Sequence, residues 1–429
     1  LDEKLVKKFL EIFENVFGVV GLLFFSGALL GVFGSPDDGP NSSLLSPTAI
    51  TAIRYLIWGT SFLLLCGRWR SAFHTARSNV SFWLLLAMIV ISPLWSDDRS
   101  FTIPAVREVL QMSTFGWYLA SRFSIKQQMR MVGLALMIGG LLSTVMALGV
   151  PRIGQHNLEH IGAWRGVYIH KNELGSRMVM AAVISMLYAL GQPAKRVAWL
   201  GFGGAWLLIL LCQSRGLIGI GLLTVAITYW CLKFRWRGHG SILLMDSILL
   251  LGGGAIATIV FNWFTIASEI GKTPDASGRF PLWGSVLSSL QERPWFGFGR
   301  SGFWSPNSPY AALAGQAVTN RWLPPNAHNG FLDVALDVGI VGLILFLITF
   351  AIALSRSYRL AYATREPAFI WAFVFLVFLV ATNLTETLLL NLANMYWTLF
   401  VATSLSLRDA LAARAIAPKK IEAPPELIS

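Results

Sequence analysis

Charge is scarce in this chain. Only 13% of its 429 residues are Asp, Glu, Lys or Arg, while 55% are hydrophobic and the mean hydropathy is +0.60. A soluble chain of this length would suggest two or three domains; this balance points instead to a membrane protein. Cysteine is nearly missing as well. Cys66, Cys212 and Cys231 lie in or beside apolar stretches, in no metal or disulfide spacing, and read as small packing residues. There is no HExxH pair, no Walker loop and no dinucleotide fingerprint, so zinc or ATP chemistry is disfavoured and no cofactor is expected. The formal charge of +12 would suggest nucleic acid in a soluble protein. Here it reports where Lys and Arg sit relative to a bilayer, and no nucleic-acid partner is expected.

What is abundant is apolar sequence of membrane-spanning length. Twelve segments qualify, beginning near Val16, Ala49, Ser81, Ile103, Met131, Glu173, Val197, Leu217, Ser241, Val338, Ala368 and Leu388. The third, Ser81 to Trp95, is short. The first follows Lys4, Lys7 and Lys8 and is long enough to remain as a signal anchor rather than be cleaved. Of the 34 basic residues, 21 lie at the N-terminus, the C-terminus or the even-numbered connections, against 10 in the odd-numbered ones. Both termini are therefore expected in the cytoplasm, and the 65 residues from Ile266 to Gly330 are expected to face outward. The expected fold is an all-α integral membrane protein of about twelve transmembrane helices with one large outer loop. Helices one to nine occupy residues 1–265, the loop 266–330, helices ten to twelve 331–407, and a disordered cytoplasmic tail 408–429.

Three arginines, Arg54, Arg107 and Arg177, fall inside these segments, where a guanidinium is costly enough to suggest function. Each lies four to six residues from the outer end of its helix, so roughly 6–9 Å deep at 1.5 Å per residue. Snorkelling and local pairing, Glu108 with Arg107 or Glu173 with Arg177, are the simpler readings. All three share one leaflet, however, with Arg165, Lys171, Arg215 and Arg279 in the adjoining outer loops. Such a cluster suits a ligand whose tail lies in the bilayer and whose head is an anionic phosphate.

The outer loops carry the motif candidates. Arg165-Gly166-Val167-Tyr168-Ile169-His170-Lys171-Asn172 leads into the sixth helix, where His170 and Asn172 either cap the helix or bind a polar ligand. The long loop holds Gly278-Arg279-Phe280-Pro281-Leu282-Trp283, then an amphipathic stretch to Glu292, then Pro294 with Gly297 and Gly299, whose glycines permit a sharp turn or a close approach. Trp283 is placed to stack on a sugar ring or to join an interfacial belt. His328 and Asn329 stand where the loop meets the tenth helix. If the helix begins near Asn326, then Asn329, Asp333 and Asp337 recur every four residues on one face, and either one of these carboxylates orients the His328 imidazole as a general base or the face serves helix packing. Asn383 and Glu386 add another edge carboxylate that could pair with an arginine. Asp37-Asp38 and Asp97-Asp98 are outer acidic pairs of the kind that can hold a divalent metal; the former reads more simply as a turn, and no metal is expected.

On these residues the chain resembles the bacterial O-antigen ligase and polymerase superfamily, most nearly its exopolysaccharide-polymerase branch. The matching pieces are Leu94-Trp95-Ser96, Arg165-Gly166 with His170-Lys171-Asn172, Ser214-Arg215, Gly278-Arg279 with Trp283, Pro294 with Gly297 and Gly299, and Ala327-His328-Asn329-Gly330-Phe331-Leu332 followed by Gly339. The resemblance implies the fold of the membrane-embedded C-type glycosyltransferases, in the bacterial inner membrane with the active face periplasmic. It implies en bloc transfer of a glycan from an undecaprenyl-diphosphate-linked oligosaccharide donor to a glycan or glycolipid acceptor hydroxyl, inverting and metal-independent. A chain-length regulator protein is a further implied partner. Arg215 and Arg279 would neutralise the diphosphate and His328 would activate the acceptor. Arg54, Arg107, Arg165, His170, Lys171, Asn172, Arg177, Trp283 and Asn329 would line the substrate. Polymerase is favoured over O-antigen ligase because the His-Lys-Asn and His-Asn-Gly-Phe-Leu forms look most like that branch. A secondary transporter is the alternative from another class, but transporters place charge near the midplane of repeated halves.

Overall fold

The computed structural model describes residues 3–28, 30, 47–157, 160–191, 196–233, 247, 278–319, 322–390 and 394–416. Helices dominate, and among the described residues no strand occurs beyond one isolated bridge, Gln155 to Trp164. In chain order we number them α1 (Glu3–Phe25), α2 (Pro47–Gly67), α3 (Trp69–Ala76), α4 (Val80–Ile91), α5 (Arg99–Arg122), α6 (Ile125–Gly149), α7 (Lys171–Gly191), α8 (Arg196–Leu211), α9 (Arg215–Lys233), α10 (Arg279–Glu292), α11 (Pro309–Gln316), α12 (Gly330–Thr364), α13 (Pro367–Asn383) and α14 (Met395–Ile416).

Five of these helices are long and apolar enough to cross a membrane: Thr48–Gly67, Ile125–Gly149, Lys171–Gly191, Arg215–Lys233 and Gly330–Thr364. A sixth is added if the pair Trp69–Ala76 and Val80–Leu94, bent by 97°, is taken as one span. Each of the twelve expected segments except the ninth, which lies outside the described residues, overlaps a described helix. The smaller count has a physical cause. Polar and charged residues dilute α1, α5 and α14, while α8 and α13 run to only 16 and 17 residues. The C-terminal segment also differs from expectation, because α14 continues through Arg408 to Ile416. It is held there by Arg408 Nη1 donating to the Arg77 carbonyl at 2.9 Å and Arg414 Nη2 donating to the Ala363 carbonyl at 3.0 Å. The rest of the expected tail lies outside the described residues.

Burial sorts the bundle into centre and periphery. Within its apolar window α7 is 78% buried against 17% for α2, so α7 is a central helix and α2 leaves most of its surface exposed. Contact between helices relies on small residues where backbones approach. A Cβ added at Gly116 in α5 would lie 2.6 Å from the Thr398 carbonyl oxygen of α14, and Trp397 Nε1 donates to Ser113 Oγ beside it at 2.9 Å.

Charge marks the two ends of the bundle. At one end the buried Glu14 carboxylate binds Arg68 at 2.9 Å and Arg122, joining α1 to the α2–α3 corner and to α5. Beside them α3 exposes Trp69 and Phe73 with Arg70 and Arg77 over their rings at 5.4 and 4.3 Å, an amphipathic face of the kind that lies in a membrane interface. The other end carries the described part of the long loop, including α10 and α11, packed around its own apolar cluster of Leu282, Val286, Phe298, Phe303 and Ala314.

That cluster is fastened to a break in α12. Val338 and Gly339 leave helical geometry, Gly339 at φ +67°, which frees backbone groups that lipid cannot satisfy. The loop satisfies them. Phe298 N–H donates to the Leu336 carbonyl at 2.7 Å, and Ile340 N–H donates to the Pro294 carbonyl at 2.8 Å. Gly297 and Gly339 make the approach possible, since a Cβ on either would fall 2.2–2.3 Å from backbone oxygen of the other segment.

Candidate functional site

After α13 the chain turns back on itself around Asn383, whose Oδ1 accepts N–H from Leu388 at 2.9 Å and Leu389 at 3.0 Å. This turn sits against the start of α12, where a Cβ on Gly330 would strike Asn383 Oδ1, and Thr387 Oγ1 donates to Asp333. Glu386, held on the rim of this clamped turn, is only 29% exposed at its side chain.

Three distant parts of the chain converge on that carboxylate. Asn172 Nδ2, from the first turn of α7, donates to Oε1 at 3.2 Å, and Arg279 Nη2, from the start of α10, donates to the same oxygen at 3.3 Å. His328 Nδ1 lies 3.8 Å from Oε2, inside ion-pair range but too far for a hydrogen bond. Burial would push the Glu386 carboxyl up, but the adjoining His328 and the Arg279 charge outweigh it and hold the group below the usual carboxylate range. His328 itself has a left-handed backbone, φ +49°, fixed by its N–H donating to Asn326 Oδ1 at 2.9 Å. Conformational cost at a non-glycine residue of this kind concentrates at functional sites.

A group of imidazoles flanks the cluster. The rings of His156, His160 and His170 lie 5.1–6.1 Å apart, centroid to centroid. His156 Nε2 accepts the Lys171 N–H at 3.1 Å and His170 Nδ1 accepts the Asn172 N–H at 3.2 Å, so both rings cap the start of α7. Burial, with His156 close by, pushes His170 down to about 4, so it is neutral near pH 7 despite the pull of Glu386.

On the other side of the Asn326–His328 and Glu386–Thr387 segments is a cavity of about 430 Å³ between the start of α5 and the start of α12. Arg300 enters it, binding Asp337 Oδ2 at 2.8 Å and donating to the Leu390 carbonyl.

The structure sorts the residues anticipated from sequence. His328, Arg279 and Asn172 come together on Glu386, with His170 and Lys171 beside them. Arg215 begins α9 and is exposed at the same end of the bundle, its helix starting three residues beyond Cys212, which packs against Gly175 of α7. The others are engaged elsewhere. Arg177 is buried, donating to the Ser26 carbonyl at 2.9 Å between the rings of Tyr168 and Tyr396. Arg165 is buried, with Nε donating to the Ile153 carbonyl at 2.8 Å. Arg54 pairs with Glu108 across two helices, so Glu108 serves Arg54 and not its neighbour Arg107, which lies 5.6 Å from the Tyr55 ring centroid. Asn329 spends its acceptor capping α12, taking N–H from Phe331 and Leu332 at 3.1 and 3.2 Å. Trp283 Nε1 donates to the Ala327 carbonyl at 2.7 Å, fastening α10 to the residue before His328.

One reading is corrected. Asp333 and Asp337 do not orient His328: Asp333 accepts from Trp304 Nε1 at 2.8 Å and Ala327 N–H at 3.0 Å, and Asp337 holds Arg300. The carboxylate beside the imidazole is Glu386. Of the outer acidic pairs, Asp97 pairs with Arg293 at 2.9 Å and Asp98 caps α5. Asp37 and Asp38 lie outside the described residues. His156, His160 and Arg300 were not anticipated; the only sequence signal was three histidines within fifteen residues of a loop.

These features define an integral membrane protein with several apolar helices and an ionisable site at the end that carries its long loop. Residues 181–347 match the O-antigen ligase family. Among curated proteins the chain is similar to an O-antigen ligase of Pseudomonas aeruginosa, 29% identical over 33% of this chain and 31% of that one. It is also similar to a putative polysaccharide ligase of Rickettsia conorii, 24% identical over 44% and 41% of the two chains. A third relative is the exopolysaccharide production protein ExoQ of Rhizobium meliloti, 25% identical over 47% and 48%. The chain thus spans about a third to a half of the length of these relatives. The resemblance to the O-antigen ligase and exopolysaccharide branch stands.

Proposed function

We propose that this protein is a glycosyltransferase of the bacterial inner membrane. It moves a glycan en bloc from undecaprenyl diphosphate to an acceptor hydroxyl at the periplasmic face, and its product is a surface or exopolysaccharide chain built from repeat units. The observation that carries this reading is the convergence of Arg279, His328 and Asn172 on Glu386, at the end of the bundle that also exposes Arg215.

The chemistry follows from the groups present. His328 takes the proton of the acceptor hydroxyl, whose oxygen forms the new bond to the anomeric carbon. The bond from that carbon to the diphosphate breaks, its electron pair leaving with the phosphate. A single displacement of this kind inverts the anomeric centre. The Glu386 charge, 3.8 Å from Nδ1, stabilises the imidazolium that forms. Arg279 is bound to Glu386 by one contact at 3.3 Å, which leaves the rest of its guanidinium fork for phosphate oxygens. Arg215 adds the second positive charge without the help of a metal. Stabilising the diphosphate as charge develops on it is the larger effect, of the order of 3 kcal/mol per donor in comparable sites.

Arg215→Ala, Arg279→Ala and His328→Ala are each expected to lower turnover at least about tenfold while leaving the yield of folded protein intact. The assay uses purified protein with a lipid-diphosphate oligosaccharide. Ladders of product mean a polymerase, and transfer only to an added glycolipid means an O-antigen ligase. Near-normal activity in all three variants would remove the site, and no turnover by the unaltered protein would revive transport.

A further inference from the structure

The cavity behind the Glu386 turn has a lining unlike that of the cluster it adjoins. Its charged groups are already matched, Arg300 with Asp337 and Glu108 with Arg54, so it offers a phosphate no uncommitted guanidinium. Ser100, Ser301 and Asn326 add polar groups to the wall. Apolar surface faces them: Phe101 is 38% exposed and stands in the same wall as Pro104, Ala105 and Leu389. A lipid tail does not suit a wall with four ionisable groups. A pyranose ring does, having hydroxyls at its rim and C–H groups on its faces. The volume of about 430 Å³ falls low in the range of small-molecule pockets, about 300–1,000 Å³, enough for one or two such rings.

We infer that this cavity is a glycan subsite that holds uncharged sugar rings next to the one that reacts. The inference rests on the glycan-transfer reading and adds where the rings bind. Thr387 and Asn326 connect the two sites, because Thr387 follows Glu386 in the same clamped turn and Asn326 holds the backbone of His328.

The test needs a probe that carries sugar and nothing else. Mild acid frees the oligosaccharide from the cell's own lipid-linked donor, without lipid or diphosphate, and ligand-observed NMR measures its binding to the full chain in detergent micelles. Unaltered protein is expected to bind it. Ala105→Trp, which fills the cavity, is expected to weaken binding at least about tenfold, a change of roughly 1.4 kcal/mol. Phe101→Ala, at a part-exposed position that the fold tolerates, is expected to weaken it severalfold and decides the matter if the larger substitution fails to fold. Arg279→Ala is expected to bind the free glycan unchanged. Unchanged binding in Phe101→Ala and in folded Ala105→Trp, or no binding by the unaltered protein, overturns the subsite. Neither result touches the glycan-transfer reading, which stands or falls with turnover in the Arg279→Ala and His328→Ala variants. Turnover by Phe101→Ala then identifies the source of the rings: KM rises for the lipid-linked donor if they are the donor's, and for the acceptor if they are the acceptor's.

Discussion

A carboxylate shared by a guanidinium and an imidazole has to stay ionised to hold either. Glu386 is kept below the ordinary carboxylate range against the effect of its own burial, by His328 and Arg279. Because its folded value is depressed, its contribution is complete above the ordinary value near 4.3 and is lost only as pH falls through the lower folded one. Glu386→Gln keeps the shape and removes the charge; it is expected to cost turnover at least about tenfold at pH 7, with Glu386→Asp retaining more. Equal activity of the Gln variant and the unaltered protein would take Glu386 out of the mechanism. His170 titrates in the same sense for the fold, over a higher pH range. Burial and His156 depress it to about 4, so between about 6.5 and 4 the unfolded chain binds the proton and the folded one resists it. Stability is therefore full above pH 6.5 and falls towards pH 4 by about 3 kcal/mol. The melting temperature of His170→Asn, which retains an acceptor for the Asn172 N–H, is expected to fall less over that interval; parallel curves would count against it. His156, His160, Lys171 and Glu386 surround the ring in both proteins and cancel in the comparison. At this scale the sequence was legible where a group's role depends on its type. His328 and Arg279 were singled out by type and meet on one carboxylate, but Arg177 and Arg165 look the same in a sequence, and they donate instead to the carbonyls of Ser26 and Ile153. Glu386 was read as an edge carboxylate; its partners lie 214 and 107 residues away, beyond any local pattern.

Among the elements, the break in α12 and the loop segment that fills it form one unit. Hydropathy starts the tenth span near Val338, at the break itself, and does not register that helix precedes it from Gly330. The glycines at 297 and 299 were legible as a turn or a close approach, yet nothing in them says that the surface approached is the Leu336 carbonyl. The arrangement predicts that Gly297→Ala and Gly339→Ala each destabilise the protein. Each adds a Cβ about 2.2–2.3 Å from a backbone oxygen of the other segment. Each also forces a residue with a side chain into positive φ, at +67° in both, where the conformational cost alone is about 1–3 kcal/mol. Since both changes pry apart the same contact, the double variant should lose less than the sum of the singles, as residues acting through one contact are not additive. Thermal unfolding in detergent measures this, and full additivity would mean that the loop and the break are independent.

At the level of the whole molecule, the two charged ends make opposite demands on the membrane. One buries Glu14 between Arg68 and Arg122 and exposes the Trp69–Phe73 face of α3; the other carries the loop, the Glu386 cluster and the cavity. Membrane-spanning helices were the most legible feature because lipid leaves the backbone few alternatives. The number of spans was less legible, because helices such as α5 gain part of their stability from polar contacts that hydropathy counts against them, as with Arg54 and Glu108. Orientation is the remaining step, and the skew of Lys and Arg predicts it: the α12–α13 connection faces the cytoplasm and the loop faces outward. With Cys66, which is exposed, replaced by serine, single cysteines placed by Asn307→Cys in the loop and Glu366→Cys before α13 both sit at exposed positions. A membrane-impermeant maleimide added to spheroplasts is expected to label Asn307→Cys at once and Glu366→Cys only after lysis. The reverse order would put the Glu386 cluster on the cytoplasmic side, where a donor already moved across the membrane could not reach it, and the proposed reaction would have no substrate.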